Sequence, residues 1–503
     1  MPARRPHPLA LAATLALLAS CACALDAQAA TTRYVDCSAT TSGDGSRLAP
    51  WNDLATANAA PLGPGDRLLL RRGTVCAGPL APIAEGSEQQ PVRIGAYGSG
   101  GRPRIDATSE DAVLLRNTSF TIVRDLEVTN AGPEARRRGV HILADGRLVR
   151  GLTVRDLYVH DVDGDLAKDG FGSGGIQGDV TGGGRFDGLL IEKNRIEDVS
   201  RSGIFLPIGG GSRPRSGEPW PEASTNVVVR GNRLTRLGGD GIVSLGTVGA
   251  VLEENVVSTG NLRGASLTSG NPVCNAGIWT FSANDTLIQR NEVFDMRFNG
   301  CDGNGFDVDY EQDGTIVQYN YSHDNEGGFI LLCTDDRPRA AQVRFNLSVN
   351  DGWAVAQSPC AFPRIGGFDG IRFHNNTFIG PNPLLSFQNL RSNGLLDTQN
   401  LDFRNNLFVA DPPIAQPFPC GARCSNNLFF GMPAQGTDAV TANPQLVAPG
   451  RTGNGRRRVG MGFRLRRGSP AIGAGVEVPD AVTQDYFGRT FDPAQPSIGM
   501  HQP

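Results

Sequence analysis

Apolar residues recur along this chain in short segments, each broken at a fixed place by one polar residue. Leu190-Ile-Glu-Lys-Asn-Arg-Ile196, Val228-Val-Arg-Gly-Asn-Arg-Leu234 and Leu287-Ile-Gln-Arg-Asn-Glu-Val293 show the pattern. The series runs from Ile122-Val-Arg-Asp-Leu-Glu-Val128 to Leu401-Asp-Phe-Arg-Asn-Asn-Leu407. Its polar member falls at Asp125, Asp156, Asn194, Asn232, Asn255, Asn291, Asn320, Asn346, Asn376 and Asn406. The shortest intervals are 23 residues, from Asn232 to Asn255, and 26, from Asn320 to Asn346. Apolar runs of this length read as strands, and a period of roughly two dozen residues reads as a stacked repeat.

A second series begins at glycine: Gly139-Val-His-Ile142, Gly175-Ile-Gln-Gly178, Gly203-Ile-Phe-Leu206, Gly241-Ile-Val-Ser244, Gly277-Ile-Trp-Thr280, Gly305-Phe-Asp-Val308, Gly328-Phe-Ile-Leu331 and Gly352-Trp-Ala-Val355. Two short strands per period, with glycine and asparagine between them, predict a parallel β-helix. One coil cannot bury its apolar face alone, so coils stack about 4.8 Å apart. Longer periods are coils carrying loops, at Ala131–Arg138, Asp163–Gly174, Gly209–Ala223 and Gly260–Asn275, all on one side. Amides repeated at one turn can hydrogen-bond from coil to coil, so the asparagines are read as structural.

The flanks differ. Pro50-Trp-Asn-Asp-Leu-Ala-Thr-Ala-Asn58 predicts a short helix capped by Asn52 or Asp53, followed by strands at Arg67–Arg71 and Pro91–Tyr97. Such a cap shields the first coil from water and from edge pairing. The expected organisation is a signal peptide over 1–30, a cap with first coils over 31–110, β-helix coils over 111–430 and a closing segment over 431–503.

The coils resemble those of the pectate-lyase-like superfamily of exported right-handed β-helix proteins. So do Tyr34-Val-Asp36 with Pro64-Gly-Asp-Arg-Leu-Leu-Leu-Arg-Arg-Gly73, and Ser469-Pro-Ala-Ile-Gly-Ala-Gly475 with Asp485-Tyr-Phe-Gly488 and Ile498-Gly499. The resemblance implies an all-β, single-domain right-handed parallel β-helix (a solenoid) with an N-terminal helical cap and long loops on one side. Members of the superfamily include lyases, glycoside hydrolases, adhesins and phage tailspikes, so the fold does not select an activity.

Charge adds an exclusion. Charged residues make up 19% of the chain and the net charge is −4, so there is no basic excess for nucleic acid or an anionic membrane surface. Met1-Pro-Ala-Arg-Arg5, the apolar run Leu9–Leu18 and Ala27-Gln28-Ala29 read as an export signal, too short to span a bilayer. Leu18-Ala19-Ser20-Cys21 also fits a lipobox, in which Cys21 would be lipidated. The expected product is a secreted or periplasmic monomer with no transmembrane segment. Eight cysteines follow the signal: 37, 76, 274, 301, 333, 360, 420 and 424. An even count in an exported chain predicts disulfides. Alignment of the coils suggests Cys274 with Cys301 and Cys333 with Cys360.

One stretch concentrates chemistry. In Gly305-Phe-Asp-Val-Asp-Tyr-Glu311, strand alternation sends Phe306, Val308 and Tyr310 inward and Asp307, Asp309 and Glu311 outward. Like charges side by side repel, so an ordinary solvated strand has little reason to keep three. Aligning the glycines sets Trp279 beside Asp307 and Phe281 beside Asp309, a platform for sugar rings. It sets Ile330 and Leu332 on the far side as dry neighbours. His323, Asp324 and Glu326 are expected at the rim, with Asp240, Arg297 and Asn304 as further substrate contacts. The expected reaction is acid/base hydrolysis of a polysaccharide or oligosaccharide, without a cofactor. The Cα atoms of Asp307 and Asp309 should lie about 6.5–7 Å apart along a strand, which leans towards inversion.

The alternative is a calcium-dependent lyase eliminating across a uronate, with the ion held by Asp302, Asp307, Asp309 and Asp324. The only lysines are Lys168 and Lys193, and Lys168 lies four coils away, about 19 Å at 4.8 Å per coil. A lyase base would then be Arg297 or His323. A non-catalytic surface or adhesive β-helix is the third reading; it would scatter carboxylates over all coils, whereas here they crowd into two.

Overall fold

The computed structural model of the chain describes residues 29–133, 136–165, 172–211, 213–263, 274–299, 302–333, 340–352, 370–380, 388–389, 394–395, 401–418, 420–479 and 482–503. Among them, three long sheets of 18, 13 and 8 strands run along one axis. Every strand pairing within these sheets is parallel, and from Asp111 to Val349 each coil visits the 8-, 18- and 13-stranded sheets in turn. This is the expected solenoid. Among the described residues helix is confined to Leu54–Ala59, Arg456–Gly460 and one 3-10 turn, Met461–Phe463. Asp53 caps the first helix, its Oδ1 accepting from Thr56 N at 2.7 Å.

The interior is a set of columns. In the 18-stranded sheet Val123, Val154, Ile191, Val229, Leu252, Ile288, Val317, Val343, Phe373 and Phe403 stack in register, all with no exposed surface. Burial of each such side chain is worth about 1.5–3 kcal/mol. Towards the C-terminal coils the columns become aromatic. Phe373 stacks on Phe403 at 5.0 Å, and Phe408 on Phe429 at 5.1 Å.

The asparagines form one ladder from Asn194 to Asn427. Each Oδ1 accepts the backbone N–H and the side-chain N–H of the asparagine one coil earlier, at 2.8–3.1 Å. The remaining Nδ2–H reaches a backbone carbonyl, as Asn255 does to Val229 O at 2.9 Å. Every amide group is thereby satisfied without water. Asp125 and Asp156 are not members. The ladder position there is held by Leu126 and Leu157, and Leu157 N donates to Asn194 Oδ1 at 3.0 Å. The two aspartates occupy the preceding turn residue at φ 59° and 53°, as Lys193, Glu254 and Arg290 do in later coils. Short polar side chains tolerate that left-handed conformation, so a polar residue marks the turn one position early.

The C-terminal segment does more than close the stack. It folds back along the outer face of the 13-stranded sheet, where Tyr321, Leu347, Leu407 and Leu428 pack against Val459, Phe463, Tyr486, Ile498 and Met500 as a second core. Tyr321 and Tyr319 hydroxyls donate to Gly453 O and Gln484 O at 3.1 and 3.0 Å. Disulfides join Cys37 to Cys76 and Cys420 to Cys424. Cys274 and Cys333 are also disulfide-bonded, but Cys301 and Cys360, their expected partners, lie outside the described residues, as do Lys168, Cys21 and the signal segment. Among the described residues no helix is long and apolar enough to cross a membrane.

Candidate active site

The eight-stranded sheet carries the acidic stretch. Its strands are β1 (Asp111–Arg116), β2 (Arg138–Asp145), β3 (Gly174–Thr181), β4 (Ser202–Pro207), β5 (Ile242–Leu245), β6 (Ile278–Phe281), β7 (Asn304–Val308) and β8 (Gly328–Leu332). Phe306 and Val308 of β7 point into the main core, fully buried. Asp307 therefore faces outward, and its strand register places it between Trp279 on β6 and Leu331 on β8. Trp279 beside Asp307 matches the glycine alignment. The far neighbour does not: Ile330 and Leu332 pair with Phe306 and Val308 and enter the core.

The physical reason is a one-residue offset. Gly328 pairs with Asn304, so Phe329 takes the place that Gly305 has on β7. A shift of one residue exchanges the two faces of a strand. The glycine corner itself is steric. A Cβ on Gly277 would lie 2.4 Å from Gly305 O, and one on Gly305 would lie 2.6 Å from Ser322 Oγ. On β8 the following residue can be Phe329 because the chain turns at Gly328, with φ 112°.

The expected row of three carboxylates is a pair. After Val308 the chain leaves the sheet to turn towards the 18-stranded one. Tyr310 packs with Leu331 and Cys333 rather than inside, and Glu311 sits exposed at a left-handed turn, φ 53°. Asp307 and Asp309 stay together: a carboxylate oxygen of each and Cys333 Sγ all lie within 4.8 Å of one another. That is closer than the strand spacing of the Cα atoms suggests, because the side chains converge past Val308. Asp307 is buried and Asp309 half-buried.

Trp279 is held, not loosely presented. Its Nε1–H donates to Asp240 Oδ1 at 3.0 Å, and it packs with Phe205, Val243 and Ala276, with Phe281 and Leu245 at the margin. Asp240 is fully buried; its other oxygen accepts from Arg201 at 3.1 Å and Ser202 at 3.3 Å, and Ala276 N donates to Oδ1 at 3.1 Å. Arg201 also donates to Asn275 at 2.6 Å. Asp240 is thus placed behind the indole instead of at the substrate surface. Asn304 is fully buried, its Nδ2 donating to Gly327 O at 2.7 Å. Arg201 was not singled out from the sequence, although it precedes Gly203 by two residues, as Asn275 precedes Gly277.

His323, Asp324 and Glu326 do not join Asp307. His323 belongs to the 13-stranded sheet, sandwiched between Phe294 and Tyr321 at 4.6 and 4.4 Å and 2% exposed beneath the C-terminal segment. Its Nδ1 lies 2.7 Å from Asp324, and its Nε2 lies 3.5 Å from Glu292. Glu292 in turn accepts Gly455 N and Arg456 N at 2.7 and 3.0 Å. Burial opposes a charged imidazole here, but the hydrogen bonds to Asp324 and Glu292 and the charge of Asp351 outweigh it and push His323 up to about 9. Beside it Asp351, wholly buried against Ser348 and Asn325, is pushed up to about 6 by desolvation. Arg297 and Glu326 pair with each other at 2.7 Å on the exposed turn between the 13- and 8-stranded sheets, and the Phe298 N–H and Arg297 hold Glu326 below its usual range.

The same placement bears on calcium. Of Asp302, Asp307, Asp309 and Asp324, only Asp307 and Asp309 converge among the described residues. Their companion Cys333 is in a disulfide and offers no thiolate. A calcium ion takes six to eight oxygens, of which these two carboxylates supply up to four. One of the loops expected to wall a cleft lies elsewhere. The tip of Gly209–Ala223 crosses the corner onto the 18-stranded sheet, where Arg213 donates to Asn284 at 2.6 Å and Ser216 N to Asp313 at 3.2 Å.

Residues 174–408 match the family model described as a right handed beta helix region, and the fold is a right-handed parallel β-helix. It is similar to a lacto-N-biosidase of Bifidobacterium longum subsp. longum, 25% identical over 90% of this chain and 35% of that protein. The chain thus spans about a third of the length of that curated relative. Its fold is similar to the GH136 lacto-N-biosidase from Eubacterium ramulus, with a TM-score of 0.62 at 24% identity over 82% of this chain and 68% of that one. It is also similar to XylC, solved with xylose, with a TM-score of 0.52 at 13% identity over 93% and 98%.

Proposed function

We propose that the protein is an exported glycoside hydrolase whose catalytic pair is Asp307 and Asp309, acting on a substrate of the class cleaved by the lacto-N-biosidase it resembles. The observation that carries this is the convergence of the two carboxylates to within 4.8 Å on the outward face of one coil, beside a held tryptophan. The similarity to a lacto-N-biosidase supports hydrolysis over elimination, and the disulfides support an oxidising compartment.

A pair this close fits retention. Carboxyl groups about 5–5.5 Å apart leave no room for a water between acid and sugar, whereas inversion needs about 6.5–9.5 Å. One group, as the carboxylate, attacks the anomeric carbon while the other, as the carboxylic acid, gives its proton to the departing oxygen and is left ionised. The second then takes a proton from water, which displaces the enzyme carboxylate and restores both groups. Trp279, Leu331 and Tyr310 supply the dry wall that keeps this chemistry from bulk water.

The test is to incubate the purified full chain with lacto-N-biosides and with uronate polysaccharides. New reducing ends without an ultraviolet-absorbing unsaturated product are expected, and the first sugar released should keep its anomeric configuration by NMR. An unsaturated product, abolished by a chelator, would replace hydrolysis by calcium-dependent elimination. Binding without turnover would leave an adhesive β-helix.

A further inference from the structure

The outward row that carries Asp307 continues towards the N-terminus and reaches two polar side chains that the chemistry above does not use. From Asp307 it runs in register through Trp279, Val243 and Phe205 to Gln177 on β3 and His141 on β2. Val140, Ile142 and Ile176 enter the core, so His141 and Gln177 face outward. His141 Nδ1 lies 3.1 Å from Asp111 Oδ2 on β1, and Arg138 donates to the other oxygen of the same carboxyl. Burial pushes Asp111 up, but His141 and Arg138 outweigh it and keep the carboxyl below its usual range. An ionised carboxylate only accepts, so the neutral ring carries its proton on Nδ1 and a lone pair on Nε2. Among the described residues that Nε2 has no hydrogen-bond partner, and neither has Gln177 Oε1 in the next coil. Two acceptors in adjacent coils thus stand unmet, which a folded chain rarely leaves.

We propose that His141 and Gln177 form a distal subsite for a neutral sugar, one of whose hydroxyl or acetamido N–H groups donates to these two acceptors. The subsite deepens the glycosidase reading and rests on it. At about 4.8 Å per coil, Gln177 stands about 19 Å from Asp307 and His141 about 24 Å. An extended chain of sugars advances by about one coil spacing per unit, so the fourth unit from the cleaved linkage falls at Gln177. Between the two ends Phe205, Val243 and Trp279 pack together as an apolar floor for sugar rings. Space beside the amide is kept by glycine: a Cβ on Gly174 would lie 2.9 Å from Ser202 O and 3.3 Å from Gln177 Oε1. Burial does not set the subsite apart from the pair, since His141 is 5% exposed, Gln177 1% and Asp307 3%. A site built to accept from a substrate donor also rejects the analogue that lacks it, because its acceptors then stay unpaired.

The experiment measures kcat and KM of the full chain on three lacto-N-biosides, carrying an aryl group, two sugars or four linear sugars beyond the cleaved linkage. The expected result is a KM at least about ten-fold lower for the four-sugar substrate than for the other two. His141→Asn keeps an N–H for Asp111 and removes Nε2, and Gln177→Met removes the amide at nearly equal length. Each should erase that gain, through KM rather than kcat. Gln177→Met leaves the Asp111 contact intact and serves if His141→Asn melts well below the parent. Equal KM for all three substrates, or a gain that survives both variants, overturns the subsite and leaves the pair in place. That is the result expected if the two acceptors hold only a buried water. Calorimetry with the four-sugar chain alone reads the subsite without turnover. Saturable binding that Gln177→Met weakens at least about ten-fold supports the subsite even if none of the three substrates is cleaved. Failure of cleavage would overturn the hydrolase reading instead, so the two outcomes are distinguishable.

Discussion

Two acidic clusters lie on neighbouring faces of the same coils. Asp307 and Asp309 stand on the outside of the eight-stranded sheet; Glu292, His323, Asp324 and Asp351 gather at the thirteen-stranded one. Both hold carboxylates beside aromatics, and only the second holds a histidine displaced far from its ordinary value. What separates them is the layer above. The C-terminal segment sits on His323 and is tied to Glu292 through Gly455 and Arg456. A titratable group can therefore be strongly perturbed because it joins two layers of the fold, and perturbation alone does not mark a catalytic group. The pair on the eight-stranded sheet is set apart by convergence, outward direction and a fixed indole.

The largest effect that would break this comparison is at the pair. Asp307→Asn and Asp309→Asn should each lower kcat by about 10²–10⁴-fold while leaving the thermal midpoint near the parent's; activity close to parent in either would remove the assignment. Next is Asp240→Ala, which leaves the buried Arg201 without its carboxylate and should cost about 3–5 kcal/mol in denaturant unfolding. The thirteen-stranded face should answer to pH instead. His323 is raised in the folded state from 6.5 to about 9, so its contribution is complete below pH 6.5 and is lost as pH rises through about 9. Melting scans from pH 6.5 to 10 should fall through that window in the parent and lose the His323 component in His323→Gln, with turnover at pH 6.5 retained. Asn320→Ala removes one ladder amide and should cost about 1–3 kcal/mol. The smallest effect is Arg297→Ala, which breaks an exposed pair and should cost less than about 1 kcal/mol; a loss of turnover there would return Arg297 to the site.

Much of this could be read from the residues. The asparagine spacing predicts the stack, and Gly277 and Gly305 at equivalent corners place Trp279 beside Asp307 correctly, because corner glycines mark a position where a Cβ would meet the next coil. The same rule fails one coil later, where Gly328 is a turn residue and Phe329 takes the corner. It fails in the ladder at Asp125 and Asp156 for a related reason, since a polar side chain suits both the left-handed turn residue and the ladder residue after it. Glu311 and Tyr310 leave the row because the chain must bend between sheets, and strand alternation does not extend through a bend.

The sequence by itself determined the coil, its period, its polar ladder and the outward direction of Asp307, since these depend on local parity and on repetition from one coil to the next. Tertiary structure alone decided which acids meet. His323 and Asp324 are near Asp307 in the chain but turn onto another sheet, and the segment covering them begins more than a hundred residues later. Asp111, His141 and Gln177 meet only because coils stack. Stacking converts separations of tens of residues into one coil spacing, about 4.8 Å. A turn between sheets does the reverse and sends neighbours in sequence to different faces.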